Sequence, residues 1–310
     1  MPLNILLAAR DDYWEDYQLP LLREFAARDL DVNLQMSFDP EVVDYIIYAP
    51  TSTLKDFAPF TRTKAVLNLW AGVEAVVGNT TLTQPLTRMV DHGLTQGMTE
   101  WVVGHSLRHH LGMDTHILGQ DGQWRAAIPP LAQNRRVTIL GLGALGAAVG
   151  RALSALGFPV TGWSRSPKAV EGITCLHGKS GLKQALSTAE ICILLLPNTP
   201  ATENTLNRET LAWMPRGAFI INPGRGPLID DDALLAALDD GQIAHATLDV
   251  FRVEPLPTDH PYWAHPSVTV TPHIAAETRA ETCAEVVAEN VRRSEAGEPL
   301  LHEVDRTLGY

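Results

Sequence analysis

The stretch VTILGLGALGAAVGRAL, residues 137–153, sets a short β-branched run against an alanine-rich helical run, with Gly141, Gly143 and Gly146 at the junction. A G-x-G-x-x-G in this setting permits a tight turn, lets the backbone approach a pyrophosphate and lets the helix pack closely on the strand. The unpaired N–H groups that open the helix, around Ala144 and Leu145, then offer donors to phosphate. Both flanks have the context the motif requires, so a dinucleotide-binding βαβ unit and a doubly wound parallel α/β sheet are expected here.

Working outward, six apolar runs follow one another: RRVTILGLG, PVTGWSRS, AEICILLLP, GAFIINPG, HATLDVF and SVTVTPH. Helical segments such as ALGAAVGRALSALG and IDDDALLAALDDG separate them, which is the pattern of a complete dinucleotide-binding sheet. Upstream, LNILLAA, DVNLQM, VDYIIYAP and AVLNLWAG alternate with helical stretches such as LPLLREFAARDL, predicting a second, smaller α/β domain. TQGMTEWVVGHSLRHHLGM has apolar residues at helical spacing, with Met98, Trp101, Val102 and Leu107 as inward positions. Beyond Pro272, a helical segment from Glu277 to Ala296 and the tail LHEVDRTLGY have no sheet of their own. The expected organisation is a discontinuous, flavodoxin-like substrate domain (1–95 plus 276–310) holding an inserted Rossmann domain (96–275).

Composition narrows the function. The 310 residues are 45% hydrophobic and 19% charged, the profile of a globular protein of two domains. A formal net charge of −12 with no basic stripe argues against nucleic acid as a partner. No stretch reaches the ~18 apolar residues of a membrane helix, and the N-terminal apolar run lacks a basic leader, so neither a membrane partner nor export is expected. Cys175, Cys192 and Cys283 are an odd count without C-x-x-C spacing, which suits reduced thiols and a cytoplasmic location. His105 and His109 lie i,i+4 on one helical face, but no third ligand pattern accompanies them and no metal is expected.

The strand after the glycine loop ends in Gly162-Trp163-Ser164-Arg165-Ser166, where an NAD enzyme carries an acid for the ribose hydroxyls. An acid would repel a 2′-phosphate, whereas Arg165 with the hydroxyls of Ser164 and Ser166 can hold one. NADP(H) is therefore the preferred cofactor, with NAD(H) as the alternative.

Three polar residues follow later strands: Arg225 in INPGRGPLID, Glu254 in LDVFRVEPLP and His273 in VTVTPHIAAE. Each alone has a plain reading, as a surface arginine, a solvated acid or a structural histidine. Together they fit hydride transfer to a 2-keto acid. Arg225 grips the carboxylate, His273 protonates the developing alkoxide, and Glu254 orients the imidazole and raises its pKa. Reduction should then weaken as pH rises through that pKa.

These motifs resemble the D-isomer-specific 2-hydroxyacid dehydrogenases, whose Arg, Glu and His stand in sequences like INPGRG, DVFRVEPLP and TPHIA. LNLWAGVEAVV, LLLPNTPATENTLN and GMTEWVV are similar to further motifs of the family in the same order. GWSRSP and VDRTLGY look like the glyoxylate/hydroxypyruvate reductase A group, which implies NADPH-linked reduction of glyoxylate and hydroxypyruvate by a homodimer. By the same resemblance Ala71, Gly72 and Val73 would offer backbone amides to the substrate carboxylate. Leu196, Pro197, Thr202, Pro223 and Gly224 would line the cofactor, His273 would border it, and Asp249 would contact the nicotinamide carboxamide. Trp70 stands where the family often has glycine, Glu74 replaces an aspartate, and Tyr48 replaces a tryptophan of the subgroup. Tyr48 and Trp70 would therefore shape the substrate pocket. A nucleotide-sensing corepressor on the same fold, or a dehydrogenase with another substrate, are the competing readings.

Overall fold

Apolar runs of four to six residues alternating with amphipathic helices produce two separate parallel sheets, described here for residues 1–309 in a computed structural model. The chain divides into unit 1, residues 1–94 with the segment from 277 onward, and unit 2, residues 95–276.

Unit 1 is built on β1 (Leu3–Ala8), α1 (Asp12–Ala26), β2 (Val32–Gln35), β3 (Tyr45–Tyr48), β4 (Ala65–Asn68) and β5 (Leu86–Thr87). Its strands lie in the order β2-β1-β3-β4-β5, all parallel, which is the flavodoxin-like arrangement. Alternation along each strand sends Ile5, Leu7, Tyr45, Ile47 and Leu67 to one face, where α1 supplies Leu21 and Phe25. Leu6, Ile46, Val66 and Leu86 go to the other face, against Phe57, Phe60, Val76 and Val304.

Unit 2 continues through α2 (His92–Leu111), α3 (Met113–Ile117), β6 (Val137–Leu140), α4 (Ala144–Ala155), β7 (Val160–Ser164), β8 (Thr174–His177) and α5 (Gly178–Leu186). It is completed by β9 (Ile191–Leu194), α6 (Arg208–Ala212), β10 (Ala218–Asn222), α7 (Asp231–Asp239), β11 (Ile243–Leu248) and β12 (Val268–Val270). The order β12-β11-β10-β9-β6-β7-β8 reverses direction at β6, where a doubly wound sheet opens its ligand crevice. Val137, Ile139, Ile191, Ile193 and Ile221 form one core with Val149 and Leu153 of α4 and Met98 and Val102 of α2. Leu140, Cys192, Leu194, Ile220 and Leu248 form the other with Leu211 of α6 and Leu234 and Leu238 of α7.

The last helix, α8 (Ala280–Glu295), belongs to unit 1 and sets Cys283, Ala284, Val287 and Val291 into the core that holds Leu21 and Phe25. The tail after it runs antiparallel along β5: Val304 N–H donates to Leu86 O at 2.8 Å, and Arg88 N–H to His302 O at 3.1 Å. This covers what would otherwise be an open sheet edge.

Three features differ from the sequence expectation, the first being that unit 1 has five strands rather than four, because Leu86–Thr87 is too short to show a period. Unit 2 has seven strands rather than six, because β8 is a half-exposed edge strand, TCLH, with no apolar run to betray it. Helix α1 begins at Asp12 and contains Pro20 in its interior, whereas the apolar spacing alone suggests a start near Leu19.

Candidate active site

The glycine loop is shaped as its sequence requires. Gly141 has φ +110°, and a Cβ there would sit 2.4 Å from Leu195 O, so only glycine fits. A Cβ on Gly146 would lie 1.8 Å from Gly141 O, which shows how closely α4 approaches the turn. Around Gly143 no atom would lie within 4 Å of such a Cβ, and no side chain caps the helix that starts at Ala144. Open backbone beside an uncapped helix N-terminus, bordered by Leu145, fits the pyrophosphate of a dinucleotide.

At the end of β7, Ser164 is buried and its hydroxyl donates to Ser166 O at 2.8 Å, so it braces the turn that presents the exposed Arg165 and Ser166. The loop after β9 is braced too: Thr202 Oγ1 donates to Pro197 O at 2.7 Å and accepts from Thr199 N–H at 2.9 Å, next to buried Leu196.

Arg225, Glu254 and His273 follow β10, β11 and β12, adjacent strands with parallel carboxyl ends. Asn222 at the end of β10 sets the first of them, donating from Nδ2 to Arg225 O at 2.9 Å and accepting from Gly224 N–H at 3.1 Å. Pro223 and Gly224 are buried, and a Cβ on Gly226 would meet Phe251 carbonyl carbon at 2.0 Å, so the Arg225 loop lies directly on the backbone that leads to Glu254.

His273 Nδ1 is 2.7 Å from Glu254 Oε2, and Glu254 Oε1 accepts from Phe251 N–H at 2.8 Å. With Nδ1 engaged by a carboxylate, Nε2 is the nitrogen left to face a reactant. The hydrogen bond to Glu254 raises the His273 pKa above its ordinary value, against partial burial and the nearby Arg225. Burial pushes the Glu254 carboxyl up, but the bonds from His273 and Phe251 N–H outweigh it and hold the group below its ordinary value. The pair therefore favours imidazolium beside carboxylate. His273 also has φ +56°, an uncommon conformation for a side chain with a Cβ, held by His273 N–H bonds to Asp249 O at 2.9 Å and Thr271 O at 3.0 Å.

Asp249 explains how that turn is held. Its carboxylate is 0% exposed and accepts from Ile274 N–H and Ala275 N–H, both at 2.9 Å, and from Thr271 Oγ1 at 2.5 Å. Asp249 is a positioning residue for His273, a role the sequence reading did not include.

In unit 1, Tyr48 is buried at the end of β3 with its ring edge-on to Phe57, the centroids 5.5 Å apart. After β4, Trp70 is 38% exposed, Ala71 and Gly72 are half-buried, and Val73 turns back into the core. Asn68, absent from the sequence reading, holds this turn by donating from Nδ2 to Trp70 O at 2.7 Å and Gly72 O at 3.0 Å. An asparagine ending an apolar strand was the available signal.

The other chemistry-bearing side chains have structural roles. His109 is buried, stacks on Phe219 and bonds Thr247 Oγ1 at 2.9 Å through Nε2. Cys192 is buried in β9, where desolvation pushes its thiol up to about 12, away from nucleophile range. Among the described residues no group of three or more His, Cys, Asp or Glu could hold a metal ion.

Residues 102–275 match the D-isomer specific 2-hydroxyacid dehydrogenase, NAD binding domain. Glyoxylate/hydroxypyruvate reductase A of Serratia proteamaculans is 41% identical over 257 residues, 80% of this chain and 82% of that protein. The Yersinia enterocolitica reductase of the same name is 38% identical over 88% of this chain and 89% of its own length. A D-isomer specific 2-hydroxyacid dehydrogenase from Xanthobacter autotrophicus, solved with NADPH and MES, superposes with a TM-score of 0.92 at 42% identity, covering 100% of this chain and 99% of that one. An NADPH-dependent glyoxylate/hydroxypyruvate reductase from Sinorhizobium meliloti, solved with NADP and sulfate, gives 0.84 at 31% identity, covering 100% and 99%. The glycine cradle, the turn that follows β7 and the His273–Glu254 pair thus stand in a chain that belongs to the D-isomer specific 2-hydroxyacid dehydrogenase family.

Proposed function

We propose that this protein is an NADPH-dependent reductase of small 2-keto acids such as glyoxylate and hydroxypyruvate, forming the 2-hydroxy acids. The observation that carries the reading is the 2.7 Å bond between His273 Nδ1 and Glu254 Oε2, which favours the protonated imidazole and leaves Nε2 to face a reactant. Arg225 binds the substrate carboxylate through its guanidinium. When bound, NADPH supplies the hydride that reduces C2. His273 donates the Nε2 proton to the carbonyl oxygen as negative charge develops there, and Glu254 stabilises the imidazolium until that moment. Arg165 and Ser166 hold the 2′-phosphate that distinguishes NADPH from NADH, and no acid at the end of β7 opposes it. The relatives' names, and the NADPH and NADP in the two solved structures, support this cofactor and substrate class.

We infer a homodimer from the segment after α2. Ile117, Leu118, Trp124, Ile128 and Leu131 are exposed along one stretch, Trp124 at 97% and Ile128 at 93%, an apolar run of the kind a partner covers. A cytoplasmic location is supported by three unpaired cysteines, two of them buried. Among the described residues no helix is long and apolar enough to cross a membrane.

The test is to follow NADPH absorbance with glyoxylate, hydroxypyruvate, pyruvate and formate in parallel. Turnover with the first two supports the reading. Dinucleotide binding without turnover of any keto acid would overturn it in favour of a sensing protein.

A further inference from the structure

Both oxygens of Glu254 are engaged, Oε2 with His273 and Oε1 with the N–H of Phe251, so the carboxylate stands where the Phe251–Arg252 backbone puts it. Residues 249–260 form neither strand nor helix, and the position of that backbone depends on what the segment packs against. Gly226 lies directly on it, and the Arg252 side chain reaches beyond it. Arg252 Nη2 donates to Ile229 O at 2.6 Å and to Asn204 Oδ1, Nε lies 3.4 Å from Asp231 Oδ2, and Nη1 lies 3.4 Å from Glu203 Oε1.

These partners stand on two other loops at the carboxyl edge of the unit 2 sheet. Glu203 and Asn204 belong to the loop after β9, whereas Ile229 and Asp231 belong to the stretch that runs from Arg225 into α7. The two loops are already joined by backbone bonds, from Asn204 N–H to Pro227 O at 2.9 Å and from Leu206 N–H to Leu228 O at 3.0 Å. Arg252 adds the Glu254 segment as the third member. Its far anchor is firm as well: Tyr262, 3% exposed, donates its hydroxyl to Asp231 Oδ1 at 2.9 Å, and the Tyr262 ring lies 6.4 Å from that of Phe251. An isolated surface ion pair contributes little, but a planar guanidinium that meets a backbone carbonyl, a carboxamide and a carboxylate from two loops fixes their relative geometry.

We propose that Arg252 is a positioning residue for Glu254: by tying the Phe251–Arg252 backbone to Asn204, Ile229 and Asp231, its guanidinium holds the carboxylate against His273 and in a fixed relation to the Arg225 loop. All of these groups lie within unit 2. The consequence for turnover rests on the keto-acid reading above, whereas the placement of Glu254 does not. Without the tie the loop shifts, the bond to His273 opens, and the imidazolium loses the carboxylate that stabilises it. A displacement of this kind costs rate even though Arg252 touches no reacting atom. Removing a nearby positive charge, by itself, acts in the opposite sense and stabilises the imidazolium, so the sign of the change separates the two causes.

The experiment reads the His273 pKa from the NMR signals of its ring nitrogens in the wild type, Arg252→Met, Arg252→Lys and Asp231→Asn, the signal being identified by its loss in His273→Gln. kcat for glyoxylate reduction is measured alongside, with circular dichroism and cooperative melting as the check on folding. Arg252→Met should bring the His273 pKa down toward that of an ordinary histidine and lower kcat by about ten- to a hundredfold. Arg252→Lys keeps the charge without the fork and should fall between that variant and the wild type, and Asp231→Asn should give a smaller shift in the same direction. A His273 pKa that is unchanged or raised in folded Arg252→Met overturns the proposal, even where melting temperature or kcat falls, because a purely structural or charge effect accounts for that result. Should Arg252→Met not fold, Arg252→Lys and Asp231→Asn decide by the same sign. A wild type that reduces no keto acid overturns the functional reading instead, and the pKa shift still decides the role of Arg252.

Discussion

His273 Nδ1 lies 2.7 Å from Glu254 Oε2, and this single contact decides which ring nitrogen is available and in which charge state. Because the folded pKa of His273 is raised, the protonated form that the proposed acid role requires persists to higher pH than in an ordinary histidine and is lost as pH rises further. Reduction, measured as chemistry-limited kcat, should fall with rising pH through that pKa. Oxidation of the 2-hydroxy acid should rise over the same interval. Glu254→Gln should move the falling limb to lower pH, and His273→Gln should reduce kcat by about 10²- to 10⁴-fold. A reduction rate flat from about pH 6 to 9 would remove the acid role from His273.

Gly143 and Gly146 should respond differently to alanine. At Gly146 the methyl meets Gly141 O at 1.8 Å, so α4 must move away from the turn, lowering stability by about 1–3 kcal/mol and abolishing tight dinucleotide binding. At Gly143 the methyl meets nothing within 4 Å, so stability should be unchanged while dinucleotide affinity falls. Thermal melts and NADPH titration of the two variants separate these outcomes.

Asp249→Asn tests the support of the His273 turn. An amide in place of the carboxylate sets a donor against one of three donors, Ile274 N–H, Ala275 N–H or the Thr271 hydroxyl. The expected result is a loss of about 2–4 kcal/mol in stability and a fall in kcat larger than any rise in KM. Wild-type melting together with wild-type kcat would show that the turn holds itself.

Arg165→Gln should weaken kcat/KM for NADPH by about ten- to a hundredfold and leave NADH little changed, because only the former carries the 2′-phosphate. Equal losses with both cofactors would show that Arg165 supports the turn rather than selecting the phosphate.

Acid should destabilise the fold partly through His109. Burial lowers its pKa from 6.5 to about 3, so the unfolded chain binds the proton first. Stability from this group is complete above pH 6.5 and declines as pH falls toward 3, by about 1.4 kcal/mol per unit. Chemical denaturation of His109→Asn at successive pH values should show a shallower decline than the wild type between pH 6 and 4.

The fold was legible where residue type and spacing both carry information. The β-branched run before Gly141, the three glycines and the alanine-rich helix read directly as strand, turn and helix, and the structure places them so. Edge elements were not legible. TCLH has the length of a strand but no apolar face, because β8 pairs on one side only and stays half-exposed. Leu86–Thr87 is too short to show a period, and it is a strand because β4 on one side and the chain near Glu303 on the other supply its partners.

The sequence by itself determined the chemistry on offer: a glycine turn between strand and helix, an arginine after the next strand, and an arginine, a glutamate and a histidine each following a later strand. Local backbone sterics and side-chain pKa ranges are properties of short segments, so they survive reading one segment at a time. Only the tertiary structure decided what those groups hold and what holds them. Glu254 and His273 are 19 residues apart and meet only because β11 and β12 are neighbours. Asp249 proved to be the anchor of the His273 turn, and Asn68 that of the Trp70 turn. Arg252 reaches Asn204 and Ile229 only because β9, β10 and β11 are neighbours, for a sheet joins residues by hydrogen-bond pairing and not by their distance along the chain.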